Sequence, residues 1–217
     1  SLAAACAQRD LSIVLLDRRE GLLDTSRGDH IQPAMLPVLE RWGILDKLQS
    51  RGAERRIGTR WFGAEDEHLL TVPVPDNANT PPWFLFLNHE QIGEILLEKA
   101  CEGGAQHVAG VSQWGVKRER GRWLVEFLQG PFSGTLECTF LVGAGGTSSP
   151  LRTRLGIKQT RHRYRYPIVV LYGRQRDVPD QKTLDVYLAE SRMVSLIPRT
   201  GGLTKVAFPI DPTGSLS

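Results

Sequence analysis

The spacing of hydrophobic positions changes several times along this chain, and each spacing predicts a different element. Residues 1–10 are mostly small and favour a helix. The apolar run "LSIVLLD" at 11–17 predicts a strand buried on both faces, as in a parallel sheet. A helix that leads into such a strand is half of a βαβ unit, so the chain begins with an α/β pattern.

Helical spacing returns twice further along the chain. Apolar residues at 35, 36, 39, 42 and 45 predict a helical segment over 32–50, which Gly43 breaks in two. Residues 89–104 predict an amphipathic helix that a glycine pair closes. Between these helices, the shorter apolar runs predict strands at 55–63, 67–75 and 81–88.

The second half of the chain is dominated by strand patterns. Residues 105–146 predict a three-stranded meander, with turns at "RERGR" and "QGPFSG" and a last strand that runs into "LVGAGG". A short helix near 150–156 and four more strands follow, at 166–175, 182–190, 192–199 and 203–211. We expect an α/β fold, α+β in part, with a nucleotide-binding layer and an inserted mixed β-sheet layer.

Composition and charge narrow the function classes only slightly. The net charge is +3, and the arginines are spread along the chain, so no nucleic-acid partner is predicted. The basic stretch 158–166 favours an exposed strand face, with a patch that binds anions or nucleic acid as the alternative. No apolar run reaches the roughly 20 residues of a membrane span, and we expect a cytoplasmic protein of unknown oligomeric state.

The three cysteines, Cys6, Cys101 and Cys138, lie far apart in the sequence. Their spacing matches no metal-ligand pattern, so we predict no metal site. The expectation for them is buried free thiols in a reducing compartment.

Two segments near the start carry candidate binding residues. Asp17 follows the first predicted strand, where an acid can accept hydrogen bonds from ribose hydroxyls; the alternative is a surface acid that pairs with Arg18. Arg27 precedes a helix, and its guanidinium could bind a pyrophosphate or be an ordinary exposed loop side chain. We interpret the triplet "RGD" at 27–29 as coincidental.

The stretch "LVGAGGTSSPLRTRLG" at 141–156 is the strongest local signal. Its glycines allow a tight turn and close backbone approach to a ligand, and the following helix would direct its N–H groups at an anion. Ser148 or Ser149 could cap that helix, Pro150 suits its first turn, and Arg152 lies near the same end. An ordinary glycine turn with a good helix cap is the alternative.

Four segments together resemble the FAD-dependent aromatic hydroxylases, the para-hydroxybenzoate hydroxylase-like flavoprotein monooxygenases. They are "SIVLLDRRE", "SRGDHIQPAMLPVLERWGILDKL", "FLNHEQIGEILLEKA" and "LVGAGGTSSPLRTRLG", the last resembling the motif G-A-D-G-x-x-S-x-x-R with Gly145 at the aspartate position. Their order and spacing match the family over essentially the whole chain.

The resemblance implies FAD as cofactor and NAD(P)H as electron donor. Asp17, with Arg18 beside it, would hold the adenosine ribose, and Arg27 would contact the pyrophosphate or the flavin side. The other implied cofactor-binding residues are His89, Gly143, Gly146 and Arg152. Residues 1–54 with 88–157 would form the FAD-binding part, and 55–87 with 158–217 the substrate-binding sheet.

The implied reaction is hydroxylation of an aromatic or related organic substrate with O₂, through a flavin C4a-hydroperoxide. No residue is predicted to be the catalytic acid or base. The alternatives are a reductase or halogenase of the same superfamily, and an inactive fragment that no longer binds FAD. Lys47, the only early lysine, is predicted on a surface helix, which disfavours the halogenase. Both chain ends suggest a fragment of a longer flavoenzyme.

Overall fold

The computed structural model describes residues 1–22, 29–174, 182–189 and 192–211. These residues form a mixed α/β fold, as the sequence predicted. Spatial contacts divide the chain into two compact units: unit 1 comprises 1–13, 22–105 and 165–217, and unit 2 comprises 14–21 and 106–164. The predicted division by function has different boundaries and stays a prediction.

The helices are short except for one. They are α1 (Leu2–Ala7), α2 (Leu36–Arg41), α3 (Leu45–Ser50), α4 (His89–Glu102) and α5 (Pro150–Arg154). A 3-10 turn at Pro33–Met35 precedes α2. Gly43 has a φ of 63°, a backbone conformation that glycine adopts without strain, and it separates α2 from α3 as the sequence predicted.

The strands of the described residues belong to four sheets. They are β1 (Val14–Leu16), β2 (His30–Ile31), β3 (Glu54–Arg56), β4 (Gly58–Phe62), β5 (His68–Pro73), β6 (Phe84–Phe86), β7 (Gln106–Val108), β8 (Val111–Glu119), β9 (Arg122–Gln129), β10 (Phe132–Cys138), β11 (Ile168–Arg174), β12 (Thr183–Ala189), β13 (Arg192–Arg199) and β14 (Leu203–Pro209).

Where the structure describes unit 1, its strands form two sheets. The larger has six strands in the order β11-β14-β13-β12-β4-β5, and it is mixed because β12 and β4 are parallel while its other neighbours are antiparallel. The smaller has the order β2-β6-β3. The strand predicted at 55–63 is therefore two strands, β3 and β4, and the chain passes from one sheet to the other at Ile57, whose N–H bonds to the carbonyl of Lys182 at 2.8 Å.

The core of unit 1 follows the predicted apolar spacing. Phe86 and Leu85 of β6 are fully buried, as is Ile95 on α4. Helix α4 packs against α1, where Ala4 is fully buried. The small residues of α1 explain this close packing, because bulkier side chains would separate the two helices.

Unit 2 contains the predicted meander and one parallel pair. Strands β8, β9 and β10 form an antiparallel sheet in the order β10-β9-β8, with turns where the sequence predicted them. Strand β1 pairs in parallel with β7, and Val14, Leu15 and Leu16 lie opposite Gln106, His107 and Val108. A parallel pair agrees with the α/β pattern at the start of the chain.

Three strand predictions need correction. Strand β1 has three half-buried residues rather than a run buried on both faces, because β7 is its one partner among the described strands. Strand β10 ends at Cys138, and beyond it Phe140 and Val142 are 85% and 62% exposed. Residues 158–166 are exposed but irregular. An apolar or alternating pattern forms a strand only where another strand pairs with it.

The cysteine prediction was right about the free thiols and wrong about their burial. Cys6 and Cys138 are half-buried and Cys101 is exposed. Cys101 lies in the last turn of α4, where that helix faces solvent. Within the described parts of the chain, no three His, Cys, Asp or Glu residues are grouped to hold a metal ion.

Candidate functional site

Asp17 lies where the sequence placed it, directly after the carboxyl end of β1. Its backbone continues the pairing with β7, because its N–H bonds to the carbonyl of Val108 at 2.9 Å and its carbonyl accepts from Val111 at 2.9 Å. Its side chain is exposed, and Oδ1 accepts a hydrogen bond from the N–H of Arg19 at 2.9 Å. The hydrogen bond from the Arg19 N–H thus holds the Asp17 carboxylate at the end of the strand, and the side chain is open to solvent.

Arg18 is exposed and follows Asp17 directly. Among the described residues no ion pair joins Asp17 to Arg18, and the Asp17 carboxylate accepts from the Arg19 backbone instead. Arg27 lies outside the described residues, and its predicted contact with a pyrophosphate stays a prediction.

The segment 143–149 forms a glycine-rich turn that is stabilised from within. Gly146 has a φ of 71°, and its carbonyl accepts a hydrogen bond from the N–H of Ser149 at 3.2 Å. Ser149 is the N-cap of α5, and its Oγ accepts from the N–H of Arg152 at 3.5 Å. Of the two serines proposed from the sequence, Ser149 is therefore the cap, and Pro150 occupies the first turn as predicted.

Arg152 holds the turn rather than extending away from it. Its guanidinium donates to the carbonyl of Gly146 at 2.7 Å and to that of Thr147 at 3.1 Å. Arg161 donates to the same Thr147 carbonyl at 3.0 Å. The loop carbonyls thus accept hydrogen bonds from the guanidinium groups of Arg152 and Arg161. The backbone N–H groups of the loop are left for other partners.

The backbone amides of 143–148 are available to a ligand in this arrangement. The residues of this stretch are exposed, and none of their N–H groups donates to another described residue. Helix α5 has only five residues, so the helix dipole expected from the sequence is small and the loop amides are the main donors.

His89 is the first residue of α4, directly after the N-cap Asn88. It is half-buried and belongs to unit 1, whereas Asp17, Arg18 and the loop at 143–152 belong to unit 2. Lys47 lies on α3, on the surface as predicted, and its amino group pairs with the carboxylate of Glu102.

Sequence reasoning missed a buried ionic cluster in unit 1, which we call the Asp29 cluster: Asp29, Lys205 and Arg199. The Asp29 side chain is completely buried, and its Oδ2 lies 2.9 Å from Lys205 Nζ. The guanidinium of Arg199 lies 3.9 Å from the other carboxylate oxygen and 4.9 Å from the centre of the Tyr172 ring. No local signal indicates this cluster, because Asp29 and Lys205 are 176 residues apart in the sequence.

His30, next to Asp29, is also perturbed by its surroundings. Its ring meets the rings of Phe84 and Phe86 edge-on, at centroid distances of 5.2 and 4.9 Å. Burial lowers the pKa of His30 to about 4; Asp29 opposes this shift, and Lys205 and Arg56 add to it. The imidazole is therefore neutral at pH 7 in the folded protein.

Comparison with known proteins gives one family match and several distant relatives. A model of the family described as an FAD binding domain matches residues 1–213. Rifampicin monooxygenase of Rhodococcus hoagii is 24% identical over 152 residues, which are 70% of this chain and 30% of that protein. A flavin-dependent monooxygenase of Mycobacteroides abscessus is 25% identical over 164 residues, 72% of this chain and 34% of that protein.

Solved structures share the fold of this chain. The crystal structure of p-nitrophenol 4-monooxygenase PnpA from Pseudomonas putida DLL-E4 superposes with a TM-score of 0.79 at 15% identity, covering 99% of this chain and 55% of that one. The chain spans about a third of the length of the two curated relatives. No helix in the described parts of the chain is long and apolar enough to cross a membrane. The family match and the two monooxygenase relatives confirm the resemblance to the flavoprotein monooxygenases that the sequence motifs indicated.

Proposed function

This chain belongs to the FAD binding domain family, and from that premise we propose that it is the FAD-binding portion of an NAD(P)H-dependent monooxygenase. The proposed reaction is hydroxylation of an aromatic or related small organic substrate with O₂. The names of the two monooxygenase relatives support the reaction class. The aromatic substrate and NAD(P)H rest on the sequence resemblance.

The observation that carries the proposal is the glycine-rich turn at 143–149. The backbone amides of 143–148 are exposed and donate to no other described residue, while hydrogen bonds of Arg152 and Ser149 fix the shape of the turn. Backbone N–H groups in such a turn bind phosphate oxygens without side-chain obstruction. Asp17 adds a carboxylate at the end of a parallel strand, the type of group that binds a ribose hydroxyl pair. These residues fit FAD.

Each predicted residue has a role in this proposal. Asp17, flanked by Arg18, accepts hydrogen bonds from the adenosine ribose. Gly143 and Gly146 let the backbone approach the cofactor, and Arg152 keeps the loop in that shape. Arg27 and His89 are proposed as further cofactor contacts.

FAD, when bound, supplies the electron transfer and the activation of O₂, and the protein supplies binding, orientation and exclusion of water. The six-stranded mixed sheet of unit 1 is the proposed substrate-binding layer. The division into 1–54 with 88–157 for FAD and 55–87 with 158–217 for substrate stays a prediction, as does the cytoplasmic location.

An FAD titration of the 217-residue chain tests the proposal, with intrinsic fluorescence and the melting temperature as readouts. FAD at 100 times its dissociation constant should stabilise the fold by about 2.7 kcal/mol. Asp17→Asn should raise the dissociation constant at least about tenfold, because it weakens a charge-assisted hydrogen bond. Glu20→Gln, which removes an exposed acid three residues further on, is the matched control and should bind as the wild type does.

Loss of FAD binding altogether and loss of the difference between the two variants lead to different conclusions. A cooperative melt without any FAD binding would favour the alternative of an inactive fragment. If the chain binds FAD and the variants Asp17→Asn and Glu20→Gln change the dissociation constant equally, FAD is the cofactor but Asp17 is not part of its binding site.

A further inference from the structure

Asp29 connects three segments of unit 1 that are distant in the sequence. Its carboxylate binds Lys205 on β14 and faces Arg199 on β13. Its backbone carbonyl accepts a hydrogen bond from the N–H of Leu87 at 3.1 Å. One residue thus joins the large mixed sheet to the strand that leads into α4.

The connection toward α4 is short and buried. The next two residues after Asp29 form β2, in which His30 and Ile31 lie opposite Phe86 and Leu85 of β6. The last residue of this buried stretch, Leu87, is fully buried and lies two positions before His89. The hydrogen bonds that begin at Asp29 therefore hold the chain up to two residues before His89.

Asp29 contacts the six-stranded sheet through ion pairs that are buried away from water. The side chains of Asp29, Lys205 and Arg199 are 0%, 7% and 3% exposed. Buried charges tolerate little displacement, because a carboxylate moved away from its cation loses the interaction that offsets its desolvation. The charges therefore fix the distance between β14 and the β2–β6 pair more strictly than apolar contacts would.

We propose that Asp29 is a positioning residue for the cofactor, which couples the β13–β14 hairpin to the strand–helix junction that carries His89. This inference rests on the proposed function, because it takes His89 as a cofactor contact. Asp29 itself is not assigned a contact with FAD. Its effect on binding passes through Leu87 and the start of α4.

The experiment separates positioning from plain stability. Asp29→Asn and Lys205→Met each break the ion pair, and the double variant removes both of its charges. Asp185→Asn is the matched control, since Asp185 pairs with Arg60 at 2.7 Å in the same sheet and is not part of the Asp29 cluster. The readouts are the melting temperature, the FAD dissociation constant, hydrogen exchange of the Leu87 amide and the NMR shifts of the His89 imidazole.

We expect each single variant to raise the FAD dissociation constant between about tenfold and a hundredfold, the size of effect that misplacing a binding group produces. The double variant should recover much of the melting temperature without recovering FAD affinity, because neither charge of the broken pair stays in the interior but the connection is still absent. Faster Leu87 exchange and shifted His89 resonances should accompany the loss. Asp185→Asn should leave FAD affinity and His89 unchanged.

Recovery of both stability and FAD affinity in the double variant would overturn the inference and leave the cluster a stability element only. If Asp29→Asn does not fold, Lys205→Met and the double variant decide the same question. If the wild-type chain binds no FAD, the proposed function fails by itself. In that case, Leu87 exchange and His89 shifts identical to the wild type in a folded variant would also overturn the positioning role.

Discussion

The Asp29 cluster of unit 1 and the loop at 143–152 of unit 2 hold their shapes by opposite means. Residues 143–148 of the loop are exposed, and the hydrogen bonds that hold the loop join residues no more than 14 positions apart, from Thr147 to Arg161. The cluster is buried, and its main contact joins residues 176 positions apart. The loop is held by hydrogen bonds between residues close in the sequence, and its N–H donors are accessible. The cluster is held by charged side chains from distant parts of the sequence, and water does not reach them.

The difference indicates different tasks for the two regions. Exposed hydrogen bonds contribute about 1 kcal/mol each, so the loop can rearrange slightly around a ligand at low cost. Buried charges without a partner are far more costly, so the cluster keeps its elements at fixed distances. The loop proposed to bind FAD would benefit from the first property, and the segment that leads into His89, a proposed cofactor contact, would benefit from the second.

The largest expected effect tests the buried side of this comparison. Asp29→Asn should lower the free energy of unfolding by about 3–5 kcal/mol, because it breaks a buried pair by removing the carboxylate that binds the Lys205 ammonium. Urea unfolding at pH 7 measures it. By contrast, Glu98→Gln breaks the exposed pair with Arg51 at 2.8 Å and should cost under about 1 kcal/mol. Similar costs for the two variants would contradict the comparison.

The same contrast explains which parts of the fold the sequence could predict. Periodicity identified α4 and the β8–β10 meander because their patterns are set by local geometry. It failed at 139–142 and 158–166, where an apolar or alternating pattern has no described strand to pair with. Local patterns report what a segment can form, and the pairing partner decides whether it does.

Among the residues discussed as functional, some were also predictable from local sequence and others were not. Ser149, Pro150 and Gly146 were predictable, because capping and left-handed backbone preferences belong to single residues and their neighbours. Asp29 was not, since a buried ion pair depends on two distant residues meeting. Its buried carboxylate agrees with the interpretation that "RGD" at 27–29 is coincidental, because a surface partner cannot reach it.

The next largest effect concerns pH and again the buried region. The pKa of His30 is about 4 in the folded protein, below its ordinary value of 6.5, so the unfolded chain binds the proton first. The stability due to neutral His30 is complete above pH 6.5 and is lost as the pH falls toward 4. Each pKa unit is worth about 1.36 kcal/mol, so the loss approaches about 3 kcal/mol. Urea unfolding at pH 7 and pH 4.5 measures it.

His30→Phe should flatten this part of the pH profile, because phenylalanine keeps the aromatic packing against Phe84 and Phe86 and has no proton to bind. His107→Gln replaces an exposed histidine on β7 and should keep the wild-type profile. A profile of His30→Phe that parallels the wild type would show that His30 is not what makes the buried region sensitive to acid.

The smallest effect tests the exposed loop with two neighbouring glycines. Gly146→Ala should lower the free energy of unfolding by about 1 kcal/mol, because a φ of 71° is strained for alanine. Gly145 lies outside that backbone region, and an added Cβ would lie 3.4 Å from Ser149 Oγ, an acceptable contact. Gly145→Ala should therefore be neutral or stabilise by up to about 1 kcal/mol, since alanine restricts the unfolded chain.

Hydrogen exchange of the Ser149 amide, which bonds to the Gly146 carbonyl, reports the same difference locally. It should be faster in Gly146→Ala and unchanged in Gly145→Ala, while the exchange of Leu87 in unit 1 stays as in the wild type in both variants. Loop variants that also change Leu87 exchange would mean that the loop is not held by its local bonds alone. Changes confined to the loop would mean that the two regions are stabilised independently.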